Sequence, residues 1–212
     1  MSTTAAAFLP DMRRQTFRLG SNYVLHAARL VAQAIDRDVV KALIFLAISR
    51  ANVRAFTRTV PAMISFSGLS EVPPDEVRVP VTVYRVAHDL GLPYETTRRH
   101  IAKLRSDGLC ALVEGGLVVP RSVLQGPAFL QAIEGNFALA TNLLAELEKF
   151  GVTSNVRSVS SAIDVSRQTM RLSVEFFLDA VCLMARVMEL NIVDVLLLRA
   201  ASLANVDRLV HD

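Results

Sequence analysis

The feature that most constrains this 212-residue chain is residues 81–120, where two helical patterns precede two short β-prone runs. Apolar residues recur at helical spacing from about Thr82 to Leu90. Gly91 then supplies the backbone freedom that a tight turn needs. A second helical pattern follows over 94–107, and Gly108 is a typical helix stop. This spacing predicts two helices joined by a short turn.

The runs 110–113 and 117–119 are β-prone and are joined by Glu114-Gly115-Gly116. A Gly-Gly pair between two such runs is typical of a β-hairpin. Helix, turn, helix and hairpin in this order predict a winged helix-turn-helix with the hairpin as the wing.

The second helix of this stretch has one apolar and one basic side. Thr97, Ile101 and Leu104 share a stripe that the 3.6-residue period directs at the core. From Tyr94 to Ser106 the helix has four basic residues and one acid, so its exposed face is positive, as phosphate contact requires. We predict that the outer surface and its flanks contact DNA through Tyr94, Glu95, Thr96, Arg98, Arg99, Lys103 and Arg105.

The sequence Glu95-Thr96-Thr97-Arg98-Arg99, with Gly91 before it and Gly108-Leu109 after it, resembles the reading heads of bacterial winged helix-turn-helix regulators. It is similar to the recognition helices of the GntR and DeoR families. The resemblance implies DNA contacts from Thr96, Arg98, Arg99 and Lys103. This chain differs at Thr97, where an apolar β-branched residue is usual, and at the acidic wing tip, Glu114.

The second strong signal is an internal repeat. Residues 11–53 align without a gap on residues 164–206, and 17 of the 43 positions are identical. Each copy predicts a hairpin of two helices with an apolar face too large to leave in water. Like surfaces tend to pair about a two-fold axis, either within a chain or between chains. Both arrangements stay open at this point.

The remaining pattern is helical with few interruptions. Asp11 and Asp38 suit the caps of helices reaching about Asp36 and Phe56, and the second is apolar almost all round, so we expect it to be central. Phe17 belongs to the apolar positions of the first helix. We expect a loop at 61–74, an edge strand at 78–81, a helix at 127–150 with Phe137 and Leu144 on its apolar stripe, and a connection at 153–161.

The resulting fold prediction is mainly α, with a winged helix-turn-helix embedded in a helical bundle made of two repeated helical hairpins. We divide the chain into a first helical hairpin at 11–58, a winged module at 76–121, and C-terminal helices at 122–212 that include the repeat copy at 164–206.

Composition excludes several classes of protein. Apolar residues make up 52% of the chain, yet no apolar run approaches the 18 residues of a membrane span, and no signal peptide is visible. Two cysteines predict a reducing cytoplasm without a disulfide framework. The four histidines lack metal-ligand spacing, and neither paired carboxylates nor a phosphate loop occurs, so we expect no enzyme, metal or cofactor.

These observations predict a cytoplasmic, sequence-specific transcriptional regulator that binds double-stranded DNA and forms a homodimer through its helical repeats. Two alternatives remain: a protein-interaction module that no longer reads DNA, and a regulator whose helical part holds a small-molecule effector. Asn52 and Asn205, at matched repeat positions, are interpreted as polar groups satisfied within helix interfaces.

Overall fold

The computed structural model describes residues 4–55, 60–151 and 163–211, which are mainly helical with one two-stranded antiparallel sheet. The predicted connection at 153–161 lies outside the described residues. In chain order the elements are α1 (Thr4–Ala34), α2 (Val39–Val53), α3 (Val60–Ser65), a 3-10 turn (Asp75–Val77), α4 (Val83–Leu90), α5 (Tyr94–Ser106), β1 (Ala111–Val113), β2 (Gly116–Val118), α6 (Arg121–Leu124), α7 (Pro127–Lys149), α8 (Ser166–Met188) and α9 (Ile192–His211). None of the described helices combines the length and apolar character needed to cross a membrane.

Helix α2 lies at the centre of the packing, as its sequence predicts. Every residue from Lys41 to Ile48 is buried, and α1, α4, α5, α8 and β2 all pack against the helix. Asp38 caps its start, because the side chain accepts a hydrogen bond from the backbone N–H of Lys41 at 3.0 Å. The helix ends at Val53, short of the predicted end.

The one charged side chain in the buried run of α2 is neutralised by two carboxylates. The Lys41 ammonium donates to Asp36 at 2.8 Å and also to Asp107, which follows α5. Burial lowers the pKa of Lys41, but the bonds to Asp107 and Asp36 outweigh it and raise the pKa above its usual value. The charged lysine therefore ties α2 to the end of α5.

Asn52, near the end of α2, is fully buried and holds the sheet rather than another helix. Its Nδ2 donates to the carbonyls of Val79 and Leu117 at 2.8 and 3.0 Å, and its Oδ1 accepts from the N–H of Val119 at 2.9 Å. Asn205 is exposed at the matched position. The prediction that both amides lie within helix interfaces is therefore wrong.

The two helix pairs α1–α2 and α8–α9 share details of their corners. The start of α2 and the start of α9 occupy matched positions, and Asn191 caps α9 as Asp38 caps α2. Asp36 and Glu189, also matched, both have positive φ, of 47° and 54°. Packing is reciprocal as well, because α1 lies against α9 and α2 lies against α8.

A partly buried polar cluster joins α1, α7 and α8. The Tyr23 hydroxyl donates to Asn136 Oδ1 at 3.1 Å and bonds to Ser173 Oγ, which also accepts from Asn136 Nδ2 at 3.1 Å. Burial raises the pKa of Tyr23. Asn136 thus turns inward, and the inward face of α7 is rotated from the predicted stripe: Phe137 and Leu144 are exposed.

Four local predictions are wrong. Helix α1 begins at Thr4, so Asp11 lies within it and is not its cap. Phe17 is 62% exposed, and part of the predicted loop at 61–74 is the helix α3. Residues 78–81 do not form a strand, since only Val81 pairs with Leu117, through a single bridge.

We expect Asn52→Ala to lower the free energy of unfolding by about 2–4 kcal/mol, because it leaves the buried Val119 N–H and Val79 carbonyl without their bonds to the amide. Urea unfolding followed by circular dichroism measures the change. Asn205→Ala is the matched control, and its exposed side chain predicts a change within about 0.5 kcal/mol. Equal losses in the two variants would contradict the assignment.

Candidate nucleic-acid interface

The turn between α4 and α5 is built by backbone geometry at Gly91. This residue has φ 63° and ψ 28°, the left-handed conformation that glycine adopts at low cost. The N–H of Leu92 then bonds to the carbonyl of Ala87 at 3.0 Å, which closes the end of α4. Thr82 caps the start of α4 by accepting from the N–H of Arg85. Helix α5 therefore follows α4 at a defined angle.

The inner face of α5 is the predicted one. Thr97, Ile101 and Leu104 are the buried residues of the helix. The Thr97 hydroxyl donates to the Pro93 carbonyl at 3.1 Å, so this polar residue can be completely buried where an apolar one is expected. Helix α5 packs with this face against α2 and α4.

The outer face of α5 is positively charged and open to solvent. Arg99, Lys103 and Arg105 are exposed and make no ion pair with a described residue. Arg98 is also exposed, but its Nε donates to Glu95 Oε2 at 2.9 Å. An exposed pair of this kind contributes little to stability, so it can open when a stronger anion approaches.

The other two predicted contact residues lie at the start of α5. Tyr94 is 48% exposed and Thr96 is partly buried. Helical spacing aligns Thr96, Arg99 and Lys103 in one row, and Arg98 and Arg105 lie on the other flank of the exposed side of the helix. The structure therefore brings the predicted basic residues onto one surface, in which Glu95 is engaged by Arg98.

An aromatic pair on α4 was not among the predicted contact residues. Tyr84 is 69% exposed, and its ring stacks on that of His88 with centroids 6.3 Å apart. The sequence contained a signal for it, because the two residues are four apart and lie off the apolar stripe of α4. The pair offers a hydroxyl and an imidazole on the outside of α4.

The hairpin differs from a basic wing. Strands β1 and β2 pair with Val113 opposite Gly116, and Glu114 and Gly115 form the turn. Leu112 and Val113 are 60% and 41% exposed, and the tip carries the acidic Glu114. The exposed strand is therefore apolar, which suits packing against a surface better than binding to phosphates.

Neither cysteine has the environment of a nucleophile. Burial raises the pKa of the Cys110 thiol to about 11, despite the opposing effect of Arg105. Burial also raises the pKa of Cys182, whose Sγ donates to the Asp89 carbonyl. Among the described residues, no group of three histidine, cysteine or acidic side chains is arranged to hold a metal ion.

Comparison of the chain with protein-family models, with curated proteins and with solved structures found no match.

We expect Gly116→Ala to destabilise the protein by about 2–4 kcal/mol, because Gly116 has φ 142° and an added Cβ would lie 2.5 Å from the Val81 carbonyl oxygen. Gly91→Ala is the control: it has the left-handed strain but open space around the Cβ, which predicts a loss of about 1–2 kcal/mol. Thermal unfolding of both variants tests the contact. A smaller loss for Gly116→Ala than for Gly91→Ala would contradict it.

Proposed function

We propose that the chain is a sequence-specific DNA-binding transcriptional regulator. In this proposal α2, α4, α5 and the hairpin form a winged helix-turn-helix, and α5 enters the major groove. One observation carries the proposal: Arg99 and Lys103 project from one face of α5, with Arg105 on the flank of the exposed surface, and none of the three has an ion-pair partner among the described residues. The opposite face of that helix is fixed in the core by Thr97, Ile101 and Leu104.

The exposed side chains divide into two chemical roles. Lysine presents a compact charge that suits a phosphate oxygen, whereas arginine can bind a guanine edge through two parallel hydrogen bonds. We assign Lys103 to a phosphate and Arg99 to a base. Arg98 joins the contact when it leaves Glu95, and Thr96 lies in the row of Arg99.

We further propose a homodimer that presents two recognition helices to one face of the duplex. A single short helix makes few contacts with DNA, and DNA-binding proteins of this kind usually bind as dimers with two recognition helices. The support is an exposed apolar stripe along α8. Its four residues are spaced four or seven apart, so they lie on one side of the helix. These residues are 55–75% exposed: Leu172, Phe176, Leu183 and Val187. A stripe of this kind on a helix is typical of a protein interface.

The helix pairs α1–α2 and α8–α9 are proposed to be copies of one ancestral hairpin. The gapless sequence match, the shared capping positions and the reciprocal packing support this proposal. In that arrangement the copies cover each other within one chain. The stripe on α8 then remains for the second protomer.

The second candidate function is a protein-interaction module. The specific observation in its favour is the exposed apolar strand with Leu112 and Val113 beside an acidic turn. Helix α5 would then serve only as a solvated basic surface. DNA selection separates the two functions.

We expect the chain to enrich a defined sequence from a random duplex library, and Lys103→Ala to weaken binding to every duplex while lowering the salt slope by roughly one unit. Arg99→Ala should cost about 1–3 kcal/mol on the selected sequence and little on unrelated duplexes. Fluorescence anisotropy across a salt series measures both effects.

The double variant Arg99→Ala with Lys103→Ala should lose both contacts. Its matched control is Arg29→Ala with Lys149→Ala, which removes one arginine and one lysine from exposed positions on α1 and α7. It should leave affinity nearly unchanged. No enrichment in the selection, or equal affinities for the two double variants, would refute the assignment of α5.

We expect Phe176→Glu to convert a dimer into a monomer, because a carboxylate in the apolar stripe would have to be desolvated on association. Light scattering at micromolar concentration gives the mass. Ile64→Glu, at a residue 57% exposed on α3, is the control and should remain dimeric. A monomeric wild type would rule out the two-headed arrangement.

A further inference from the structure

A cavity of about 690 Å³ opens between α2, α7 and α8 and reaches α4. One part of its wall is apolar: Phe45 stacks on Phe129 with ring centroids 4.9 Å apart, and Leu46, Ile133, Met170 and Val174 extend the surface. A volume of this size holds a small organic molecule.

The other part of the wall is unusually rich in arginine. Among the described lining residues, seven are arginines and three are acidic. Some of these charges are matched in pairs, such as Arg50 with Asp179 and Arg85 with Asp89. Arg78, Arg167 and Arg171 lie deeper in the fold, where burial lowers the pKa of each guanidinium.

Arg78 is the most informative of these residues. Its side chain is completely buried. The Nε donates to Asp75 Oδ1 at 3.0 Å, and Nη2 donates to the Pro73 carbonyl at 3.0 Å. Its Nη1 has no hydrogen-bond partner among the described residues, and the same holds for the buried Oγ of Ser49. Both residues line the cavity. Two buried polar groups at one cavity can therefore bond to a ligand that brings its own acceptor, since buried donors are almost always satisfied.

Two further guanidinium groups lie close to Arg78. Arg167 is fixed by the carbonyls of Gly68 and Leu69, and Arg171 Nη1 donates to Gln168 at 3.3 Å. Burial lowers the pKa of Arg167 and of Arg171 to about 10, and repulsion from the neighbouring arginines adds to the effect. Three like charges in a poorly solvated place favour the binding of an anion.

We propose that this cavity binds a small organic carboxylate with an apolar body, whose carboxylate lies against Arg78, Arg171 and Ser49. The carboxylate accepts from the arginines and the hydroxyl, and the apolar body covers the wall around Phe45 and Phe129. A monoanion fits better than a phosphate dianion, because Glu175 and Asp179 also line the cavity and would repel a second charge. This site does not depend on DNA binding.

Calorimetric titration of the full chain with octanoate, octan-1-ol and inorganic phosphate tests the proposal. Octanoate should bind, and the neutral alcohol and the phosphate should each bind at least about tenfold more weakly. Octanol binding as tightly as octanoate would show that the arginines take no part. If phosphate bound as tightly as octanoate, the apolar wall would contribute nothing to binding and the proposed ligand class would be wrong. If octanoate did not bind, the proposal would be overturned outright.

The variant Arg171→Gln should raise the Kd of octanoate about tenfold or more, and Arg171→Lys should restore part of the affinity. Arg199→Gln is the control, because Arg199 is also partly desolvated but lies outside the cavity, against the Phe17 ring. Equal octanoate affinity in Arg171→Gln and the wild type would refute the site. Circular dichroism shows whether each variant is folded. The comparison of octanoate with octanol uses only the wild-type protein, so it tests the proposal even if a variant fails to fold.

Discussion

The burial of α2 on all sides is the constraint on which the rest of the structure depends. Eight consecutive residues, Lys41 to Ile48, are buried, so the helix needs neighbours around its whole circumference. The segment from α4 to β2 offers only α4, α5 and β2, which leaves part of the surface uncovered. Helices α1 and α8 complete the cover. The scaffold and the basic helix are therefore parts of one core, and the orientation of α5 is set by the same side chains that stabilise the bundle.

Polar side chains at the two ends of α2 make this attachment specific. Lys41 joins it to the end of α5 through Asp107, and Asn52 joins it to the hairpin. The Asn52 amide bonds to Val79, Leu117 and Val119, so a side chain takes up groups that a neighbouring strand would otherwise bond. This explains why residues 78–81 form a single bridge instead of the predicted edge strand.

The local elements could be predicted from sequence because their signals are local. The left-handed Gly91, the cap at Asp38 and the period of Thr97, Ile101 and Leu104 each act within one or two turns of chain. The burial of Asn136 could not, because it depends on partners on two distant helices. The apolar stripe of the predicted helix placed Phe137 in the core. Hydrogen bonds to Tyr23 and Ser173 instead turn Asn136 inward and leave Phe137 exposed. The arginine cavity escaped prediction for the same reason: its members are far apart in the sequence.

Identical residues at matched positions of the two helix pairs differ in burial and in hydrogen bonding. Asn52 is buried in bonds to the sheet while Asn205 is exposed, and Arg14 is exposed while its counterpart Arg167 is buried. The side chains are identical, so their surroundings alone decide what each can do. Asn52 needs the hairpin that follows α2, and Arg167 needs the loop at 67–69 that docks on α8. The hairpin and this loop both lie between α2 and α6. The basic helix therefore belongs to the segment between the two helix pairs, and the charged cavity combines Arg78 from that segment with Arg167 and Arg171 from α8.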